Sequence, residues 1–293
     1  MTRIEQFGWR GPVEPGIGRV VSAHGDYYHL VCNEQPTGEI LARKKKSAFT
    51  RMKTAAPVSM KGKKISEVRA SEPPKPMTGD FVRFRYNAQG DSMITEVLPR
   101  FSHFERKDPT ARRTSQTLAV NFDTLFIMMS LNENFSTARI DRYLTLAEDR
   151  GEAEVVVVVT KMDLREAGDE EFLSALDETV AGRARVLRIS ALTGEGMDDV
   201  VACAAPGKVL AFIGSSGVGK STLLNTLAGE EWQATQEIQE WSGKGRHTTT
   251  SRELVMLPSG AMVIDTPGIR EIGMLGEEDA VRLKGESTHR YRK

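Results

Sequence analysis

The spacing of hydrophobic and polar residues divides the chain into two parts. In the first hundred residues, short alternating or β-branched runs are separated by turn-forming residues, a pattern typical of strands. The strands predicted in this way cover residues 17–23, 27–33, 81–86 and 93–99. Several short strands in so few residues predict a small β-barrel, and we favour an OB-fold over other small β-modules.

From residue 122 onward, strand patterns alternate with helix patterns. Predicted strands cover residues 122–129, 154–159, 184–190, 208–214, 252–258 and 261–266, and predicted helices cover residues 137–150 and 170–180 and a segment starting at Gly219. The five consecutive valines at 155–159 are typical of a parallel strand that is buried on both faces. The alternation predicts a mostly parallel α/β sheet, preceded by a polar, basic connector at 101–118.

The segment between the strand at 208–214 and the helix that follows has a phosphate-binding sequence. The pattern GxxxxGK[ST] is matched by Gly214, Ser215, Ser216, Gly217, Val218, Gly219, Lys220 and Ser221, with Thr222 next. Glycines let consecutive backbone N–H groups surround phosphate oxygens, and the helix N-terminus adds its positive dipole end. Lys220 would contact the β- and γ-phosphates, and Ser221 would bind Mg²⁺. The alternative is a Gly/Ser-rich turn that enters a helix.

Two other segments contain the residue types that read a guanine base. They follow consecutive predicted strands and consist of Thr160, Lys161, Met162 and Asp163, and of Ser190 and Ala191. The Asp163 carboxylate can accept hydrogen bonds from guanine N1–H and the exocyclic amine, a donor pair that adenine lacks. Lys161 would lie along the base, and the Ala191 N–H would meet guanine O6. Thr160 stands where Asn is usual and lacks its amide fork, so we expect somewhat weaker nucleotide affinity.

The DTPG segment at 265–268 follows an apolar strand and is a candidate sensor of the γ-phosphate. Asp265 would reach Mg²⁺ through water, and the Gly268 N–H would contact the γ-phosphate. The next residue is Ile269, where related enzymes place a Gln that orients the attacking water. Because Ile cannot orient water, another group has to take over this task.

The Gly-rich segment GKGRHTTT at 243–250 lies where the first switch of such a protein is expected. Thr249 is a candidate Mg²⁺ ligand in the GTP-bound state. His247 is a candidate for positioning or deprotonating the attacking water. Together with Lys220, these two residues are the proposed catalytic set, although a lone histidine in a loop is also consistent with a merely solvated side chain.

The order of the motifs along the chain is unusual. The base-reading segments precede the phosphate loop, whereas an ordinary Ras-like chain begins with the phosphate loop. This order predicts a circularly permuted GTPase domain. Two alternatives remain open from the motifs alone. One is an RNA-binding nucleotide sensor that does not hydrolyse GTP, and the other is a P-loop ATPase in which the segment TKMD occurs by accident.

Charge is distributed unevenly along the 293 residues, although the formal net charge is zero. Residues 1–116 contain 21 Lys and Arg against 12 Asp and Glu, a net of +9, and the remaining residues carry −9. A basic first part suggests binding to a polyanion such as RNA. The candidate contacts are Arg43, Lys44, Lys45 and Lys46, at the start of a basic segment at 43–64 that is predicted to be a long loop. A solvated lysine-rich face without a partner is the alternative.

The cysteines and the apolar runs indicate the cellular compartment in which the protein is expected. Cys32 and Cys203 are far apart, and no disulfide framework or CxxC pair is visible, as in proteins of a reducing cytosol. The first residues have no apolar signal core, and the longest aliphatic run is too short to span a bilayer. We therefore expect a cytoplasmic protein without a membrane segment.

Longer segments resemble the family of ribosome small subunit-dependent GTPase A, which are circularly permuted, glutamine-less GTPases. The similar segments are GRVVSAHGDYYHLV, TGDFVRFR, ITEVLPRFSHFERK, QTLAVNFDTLFIMMSLNENFSTARIDRYLTLA, GSSGVGKSTLLN, GRHTTT and DTPGIRE. They cover most of residues 17–272. The resemblance implies an OB-fold that acts on the ribosome, GTP and GDP as ligands with Mg²⁺, and a role late in maturation of the 30S subunit and its 16S rRNA.

The resemblance also implies domain limits. We expect an OB-fold at 1–100, a linker at 101–117, the permuted GTPase domain at 118–273 and a short C-terminal remnant at 274–293. Members of the family carry a C-terminal zinc module with clustered Cys and His, but after Asp265 this sequence has no cysteine and only His289. We therefore expect no zinc site of the usual type. We further expect a monomer whose GTP hydrolysis is stimulated by the small subunit.

Overall fold

The computed structural model describes residues 1–44, 75–107, 115–131, 135–215, 217–229 and 252–265. The chain forms two compact units, Met1–Arg100 and Phe101–Lys293. Within the described ranges, no helix is both long and apolar enough to cross a membrane.

The first unit is a closed five-stranded barrel that follows a short N-terminal helix. Its elements are α1 (Arg3–Gln6), β1 (Ile17–His24), β2 (Tyr27–Cys32), β3 (Ile40–Lys44), β4 (Phe81–Arg85) and β5 (Ser92–Val97). The strands pair in the order β1-β2-β3-β5-β4, and β4 pairs with β1 to close the barrel. Only the β3–β5 pair in this unit is parallel among the described strands. The predicted OB-fold is confirmed.

The strand β3 corrects one sequence-based expectation. Arg43 and Lys44 were predicted to begin a long loop, but they are the last two residues of β3. The strand has only five residues and leads directly into a basic run, so its alternation is too short to stand out from the sequence. Ala42 points into the barrel core, whereas Arg43 is exposed. The other two residues of the proposed RNA-binding set, Lys45 and Lys46, lie outside the described residues.

Tyr28 contributes a buried polar atom to the core of the barrel. Its side chain is fully buried against residues such as Val20, Leu30 and Phe84. The hydroxyl has no hydrogen-bond partner among the residues that the structure describes. Burial, with a smaller contribution from nearby carboxylates, raises the pKa of Tyr28 to about 12. A buried hydroxyl that has lost its water partners destabilises the folded state.

We expect Tyr28→Phe to raise the free energy of unfolding of the barrel by about 1 kcal/mol, because the unpaired hydroxyl is removed while the ring stays in place. An unfolded tyrosine ionises at about pH 10, whereas the folded Tyr28 resists ionisation up to about pH 12. The wild-type barrel therefore loses stability as the pH rises through this window, and the Phe variant does not. Urea denaturation of the wild type and the variant, at neutral pH and between pH 10 and pH 12, measures both effects.

The matched control is Tyr27→Phe, because Tyr27 is the exposed neighbour on the same strand. This change is expected to alter the free energy of unfolding by less than about 0.5 kcal/mol. A Tyr28→Phe variant that is no more stable than the wild type would show that the hydroxyl is satisfied in solution.

The second unit contains a parallel sheet and a separate hairpin. Its strands are β6 (His103–Lys107), β7 (Ser115–Val120), β8 (Thr124–Ser130), β9 (Glu154–Thr160), β10 (Arg185–Arg188), β11 (Val209–Gly214), β12 (Glu253–Met256) and β13 (Met262–Asp265). Its helices are α2 (Thr137–Leu146), α3 (Asp169–Val180), α4 (Met197–Cys203) and α5 (Lys220–Ala228). Within this unit the sheet order is β10-β9-β8-β11-β13-β12, with β12 antiparallel and the other strands parallel. The predicted α/β sheet is confirmed.

The stretch predicted to be a polar connector instead contains β6 and the start of β7. The two strands pair as an antiparallel hairpin. At its base, the Phe101 N–H donates to Asn121 Oδ1 over 3.0 Å, and the buried Ser102 hydroxyl donates to the Phe122 carbonyl over 2.6 Å. Polar residues on the hairpin hid its strands in the sequence, because alternation is weak when few positions are apolar.

The topology of the sheet explains where its loops meet. The chain runs from β8 to β9 and β10 on one side, and then continues with β11 on the other side of β8. Open α/β sheets bind ligands outside the carboxyl ends of their strands, where the order reverses in this way. Because β9, β10, β11 and β13 run parallel to β8, the segments that follow them all begin at this edge.

Candidate nucleotide site

The phosphate loop connects β11 to α5 and depends on its glycines. Gly217 and Gly219 have φ angles of +74° and +94°, a region that side chains with a Cβ rarely adopt. At Gly214 the constraint is space, because a Cβ would lie 2.7 Å from the Met128 carbonyl oxygen on β8. These three positions allow the backbone to curl tightly ahead of α5. Ser216, in the same loop, lies outside the described residues.

Lys220 is the first residue of α5 and reaches back to the phosphate loop. Its Nζ donates to the carbonyl oxygens of Gly214 and Ser215 over 2.6 Å and 3.0 Å. The ammonium group therefore lies against the loop that precedes its own helix. Ser221 and Thr222 follow in the first turn, where both are exposed. A helix that follows a glycine loop and begins with a lysine suits a bound polyphosphate.

The two segments predicted to read the base meet through side chains. The Ser190 hydroxyl donates to Asp163 Oδ1 over 2.5 Å, and it accepts a hydrogen bond from the Thr193 N–H over 3.2 Å. Ser190 is fully buried, whereas Asp163 is exposed. The hydroxyl thus holds one carboxylate oxygen of an otherwise exposed group.

The backbone positions the same pair. Lys161 has a φ of +62°, an uncommon left-handed conformation for this residue type. It precedes a 3-10 turn at Met162–Leu164 that includes Asp163. The Met162 N–H donates to the Ile189 carbonyl over 3.1 Å, so the segment after β9 is tied to the segment after β10. Ala191 directly follows the buried Ser190 in the second of these segments.

Thr160 links the end of β9 to the loop between β11 and α5. Its Oγ1 donates to the Val218 carbonyl oxygen over 2.6 Å, and its side chain is almost fully buried. The sequence suggested only that Thr lacks the amide fork of the usual Asn. The structure shows that a hydroxyl suffices to reach a loop 58 positions away in the sequence. Sequence reasoning missed this contact because a hydroxyl at the end of a strand has no recognisable signature.

The remaining candidates are described only in part. Asp265 is the last residue of β13, and its backbone pairs with Glu253 of β12. This strand neighbours β11, so Asp265 and the phosphate loop are at the same edge of the sheet. His247, Thr249 and Gly268 lie outside the described residues. Arg43 and Lys44 are in the barrel unit.

Among the residues that the structure describes, no three His, Cys, Asp or Glu side chains are grouped in a way that could hold a metal ion. Mg²⁺ in phosphate-loop proteins is held by one or two side chains together with phosphate oxygens and water.

The fold and the site define a P-loop nucleotide-binding protein whose base-reading segments come first, in the order of a circularly permuted GTPase. A sequence profile of the family described as RsgA GTPase matches residues 97–275. The chain is also 37% identical over 285 residues to the "small ribosomal subunit biogenesis GTPase RsgA" of Leptospira interrogans serovar Lai. That similarity covers 94% of this chain and 72% of the relative. The chain therefore belongs to the RsgA GTPase family.

Two solved structures resemble the fold. The crystal structure of YjeQ from Thermotoga maritima matches with a TM-score of 0.59 and 26% identity, over 87% of this chain and 76% of that one. The structure of YloQ, described as a circularly permuted GTPase, matches with a TM-score of 0.52 and 23% identity, over 86% of this chain and 70% of that one. The circularly permuted fold predicted from the motif order is thereby confirmed.

We expect Thr160→Val to weaken GTP binding about tenfold, because the Val218 carbonyl loses its buried donor and the phosphate loop is less well fixed. Thr160→Ser keeps the hydroxyl and is expected to bind GTP within about threefold of the wild type. Equilibrium titration with a fluorescent GTP analogue measures both affinities. Equal affinities for the Val and Ser variants would show that the link is dispensable.

Proposed function

We propose that this protein is a Mg²⁺-dependent GTPase that acts late in assembly of the small ribosomal subunit and is stimulated by that subunit. The observation that carries the nucleotide assignment is the physical connection of the two half-sites. Ser190 orients Asp163, and Thr160 on the adjoining segment is bonded to Val218 of the phosphate loop. These contacts bring the base-reading and phosphate-reading residues together although their order in the chain is permuted.

Guanine recognition follows from the orientation of Asp163. One of its oxygens accepts from Ser190, so a buried hydroxyl restrains the exposed carboxylate. We assign it the N1–H and exocyclic amine of guanine, which together match two carboxylate oxygens. The alkyl part of Lys161 covers the base, and the Ala191 N–H donates to O6. Adenine offers an acceptor where guanine offers N1–H, and would leave the carboxylate without a donor.

The phosphate loop binds the polyphosphate through backbone N–H groups and Lys220. In the proposed complex the ammonium exchanges its contacts with the loop carbonyls for the β- and γ-phosphates. Mg²⁺ neutralises charge on the phosphates when it is bound. Ser221, Thr249 and Asp265 would hold it, and Gly268 would contact the γ-phosphate through its N–H.

Positioning of the attacking water is assigned to His247. Ile269 occupies the place where related enzymes have a glutamine, and an aliphatic side chain forms no hydrogen bond to water. A histidine in the segment 243–250 can accept a proton from water or orient it. We propose that contact with the ribosomal subunit completes this arrangement, so that the isolated protein hydrolyses GTP slowly.

The assembly role is transferred from the relatives. The curated relatives are named as GTPases of small ribosomal subunit biogenesis. By similarity we propose that the 30S subunit and its 16S rRNA are the partners of this chain, that the barrel unit contacts the RNA, and that the protein works as a cytoplasmic monomer. The excess of basic residues in positions 1–116 supports an RNA contact in that part.

Cosedimentation with 30S subunits tests the partner. We expect the protein to pellet with 30S particles in the presence of a non-hydrolysable GTP analogue and to remain largely in the supernatant with GDP. Sedimentation with 50S particles serves as the control. Equal pelleting in both nucleotide states, or pelleting with both subunits alike, would contradict a nucleotide-dependent role on the small subunit.

Lys220→Ala is expected to lower the rate constant of GTP hydrolysis by roughly 10² to 10³-fold, because it removes a charge aimed at the phosphates. The matched control is Lys208→Ala. Lys208 directly precedes β11, at the end of this strand that is opposite the phosphate loop. Its Nζ pairs with Asp123 over 2.9 Å. Single-turnover hydrolysis with 30S subunits present measures both variants. Similar losses in the two variants would show that the effect of Lys220 is not specific to the phosphate loop.

A further inference from the structure

Four side chains on the outside of the barrel are in register across four neighbouring strands. Tyr27 of β2 lies opposite Arg43 of β3, and Arg43 lies opposite Met93 of β5. Met93 in turn lies opposite Arg85 of β4. Residues directly opposite each other in a sheet share a face, so the four side chains form one outer row. Three spacings between strands give the row a length of about 14 Å.

The outer row presents apolar and aromatic surface to solvent, as well as charge. Tyr27 is 38% exposed and Met93 is 43% exposed, values that are high for side chains of this type. Their neighbours within each strand, Tyr28 and Ile94, are buried in the core. The exposure therefore follows from the alternation of the strands and is not a consequence of a loosely packed barrel.

Arg43 lies over the ring of Tyr27. Its guanidinium carbon lies 4.3 Å from the centre of the Tyr27 ring, which is a cation–π contact. Asp91 accepts from Arg43 Nε over 2.5 Å and fixes the edge of the guanidinium. The guanidinium is thus restrained by an aromatic ring and by a carboxylate. A planar group held in this way is a stacking platform.

We propose that the outer row binds an unpaired RNA strand, with one base stacked on the Tyr27–Arg43 pair, the next base against Met93 and a phosphate at Arg85. The proposal rests on the proposed contact between the barrel and ribosomal RNA, and it names the face and the kind of RNA. Bases of single strands stack on aromatic rings and on arginine planes, which duplex RNA does not permit because its bases are already stacked.

The composition of the row favours RNA over an acidic protein segment. Its two arginines, of which Arg43 is already paired with Asp91, would attract either kind of polyanion and do not decide between them. A purely electrostatic site for carboxylates would not need an exposed tyrosine and an exposed methionine between these arginines. Base stacking uses such side chains, and it is tolerant of sequence because every base has a π-face.

Binding of the full-length chain to a fluorescein-labelled oligouridine of about twelve nucleotides, within the site size of an OB-fold, tests the proposal. We expect Tyr27→Leu to weaken binding about tenfold, the effect of losing one stacked base. Tyr27→Phe keeps the ring and is expected to restore the wild-type affinity. Arg85→Gln is expected to weaken binding and to reduce the dependence of log Kd on log salt by about one phosphate contact.

Arg83→Gln is the matched control for charge. Arg83 is an exposed arginine of the same strand, but it pairs with Glu14 and lies opposite Glu96, outside the row. The Arg83→Gln variant should bind the oligouridine as tightly as the wild type. If Tyr27→Leu binds as well as the wild type, or if Arg83→Gln loses as much affinity as Arg85→Gln, the proposal is wrong. Displacement of the RNA by polyglutamate at equal charge would indicate that the outer row binds acidic protein. This result would also overturn the proposal.

The result of the oligouridine assay can be distinguished from the result of the tests of the proposed function. The oligouridine assay contains neither GTP nor ribosomal subunits, so it reports on the outer row alone. Stimulation of GTP hydrolysis by 30S particles together with unchanged RNA binding of Tyr27→Leu would reject the row and keep the proposed function. Loss of RNA binding in Tyr27→Leu without any response to 30S particles would keep the row and reject the proposed function.

Discussion

Asp163→Asn is expected to weaken GTP binding by roughly 10⁴-fold, the largest loss that we expect from a single substitution in this protein. The variant replaces one acceptor oxygen by an NH₂ group, which meets the exocyclic amine of guanine donor to donor. Xanthine has a carbonyl at that position and keeps N1–H. The same variant should therefore bind xanthosine triphosphate much better than the wild type does. Competition titrations with GTP, ATP and xanthosine triphosphate measure the change.

Asp198→Asn is the control for this experiment. Asp198 is an exposed carboxylate in the first turn of α4, and the change removes one negative charge without touching the base-reading segments. Its affinity for GTP should equal that of the wild type. If Asp163→Asn also left GTP affinity unchanged, the segment after β9 would not read the base, and a P-loop nucleotidase without guanine preference would become the better description.

The sequence predicted those parts of the fold that local pattern determines. Five consecutive valines after Glu154 predicted a strand buried on both faces, and Val156–Val159 are fully buried in β9. The spacing of Gly214, Gly219 and Lys220 predicted a phosphate loop between a strand and a helix, and the structure has this arrangement. In each case the signal lies within a dozen consecutive residues, so that no tertiary contact is needed to recognise it.

Contacts between distant segments were not predictable in this way. The bond from Thr160 to the Val218 carbonyl joins residues 58 positions apart, and it exists only because β9 and β11 flank β8 in the sheet. The sequence suggested weaker nucleotide affinity with Thr160 than with asparagine, because the residue type alone shows that the amide group is missing. It does not show which acceptor the fold places within reach of the hydroxyl.

The outer row illustrates the same limit in the barrel. Arg43 was a candidate for RNA binding from charge alone, and it was placed in a loop. The structure places it in β3 between Tyr27 and Met93. That neighbourhood depends on strand register, which the sequence of such short strands does not specify. The strand register places Arg43 beside an aromatic and an apolar side chain, and this arrangement defines the outer row.

Small ribosomal subunits are expected to accelerate GTP hydrolysis by a large factor. Ile269 cannot orient the attacking water, so the isolated protein lacks a group that related GTPases carry in place. In related systems, completing such a site accelerates hydrolysis by up to on the order of 10⁵-fold. We assign His247 as the group that the subunit brings into position, and His247→Ala should therefore lose most of the stimulation while keeping its affinity for GTP.

Multiple-turnover phosphate release at saturating GTP, with and without purified 30S particles, tests this account most directly. It predicts slow release by the protein alone, no acceleration by 50S particles and strong acceleration by 30S particles, which His247→Ala largely abolishes. Equal rates with and without 30S particles would contradict the account, because the proposed function requires the small subunit to activate hydrolysis at the Asp163 and Lys220 site.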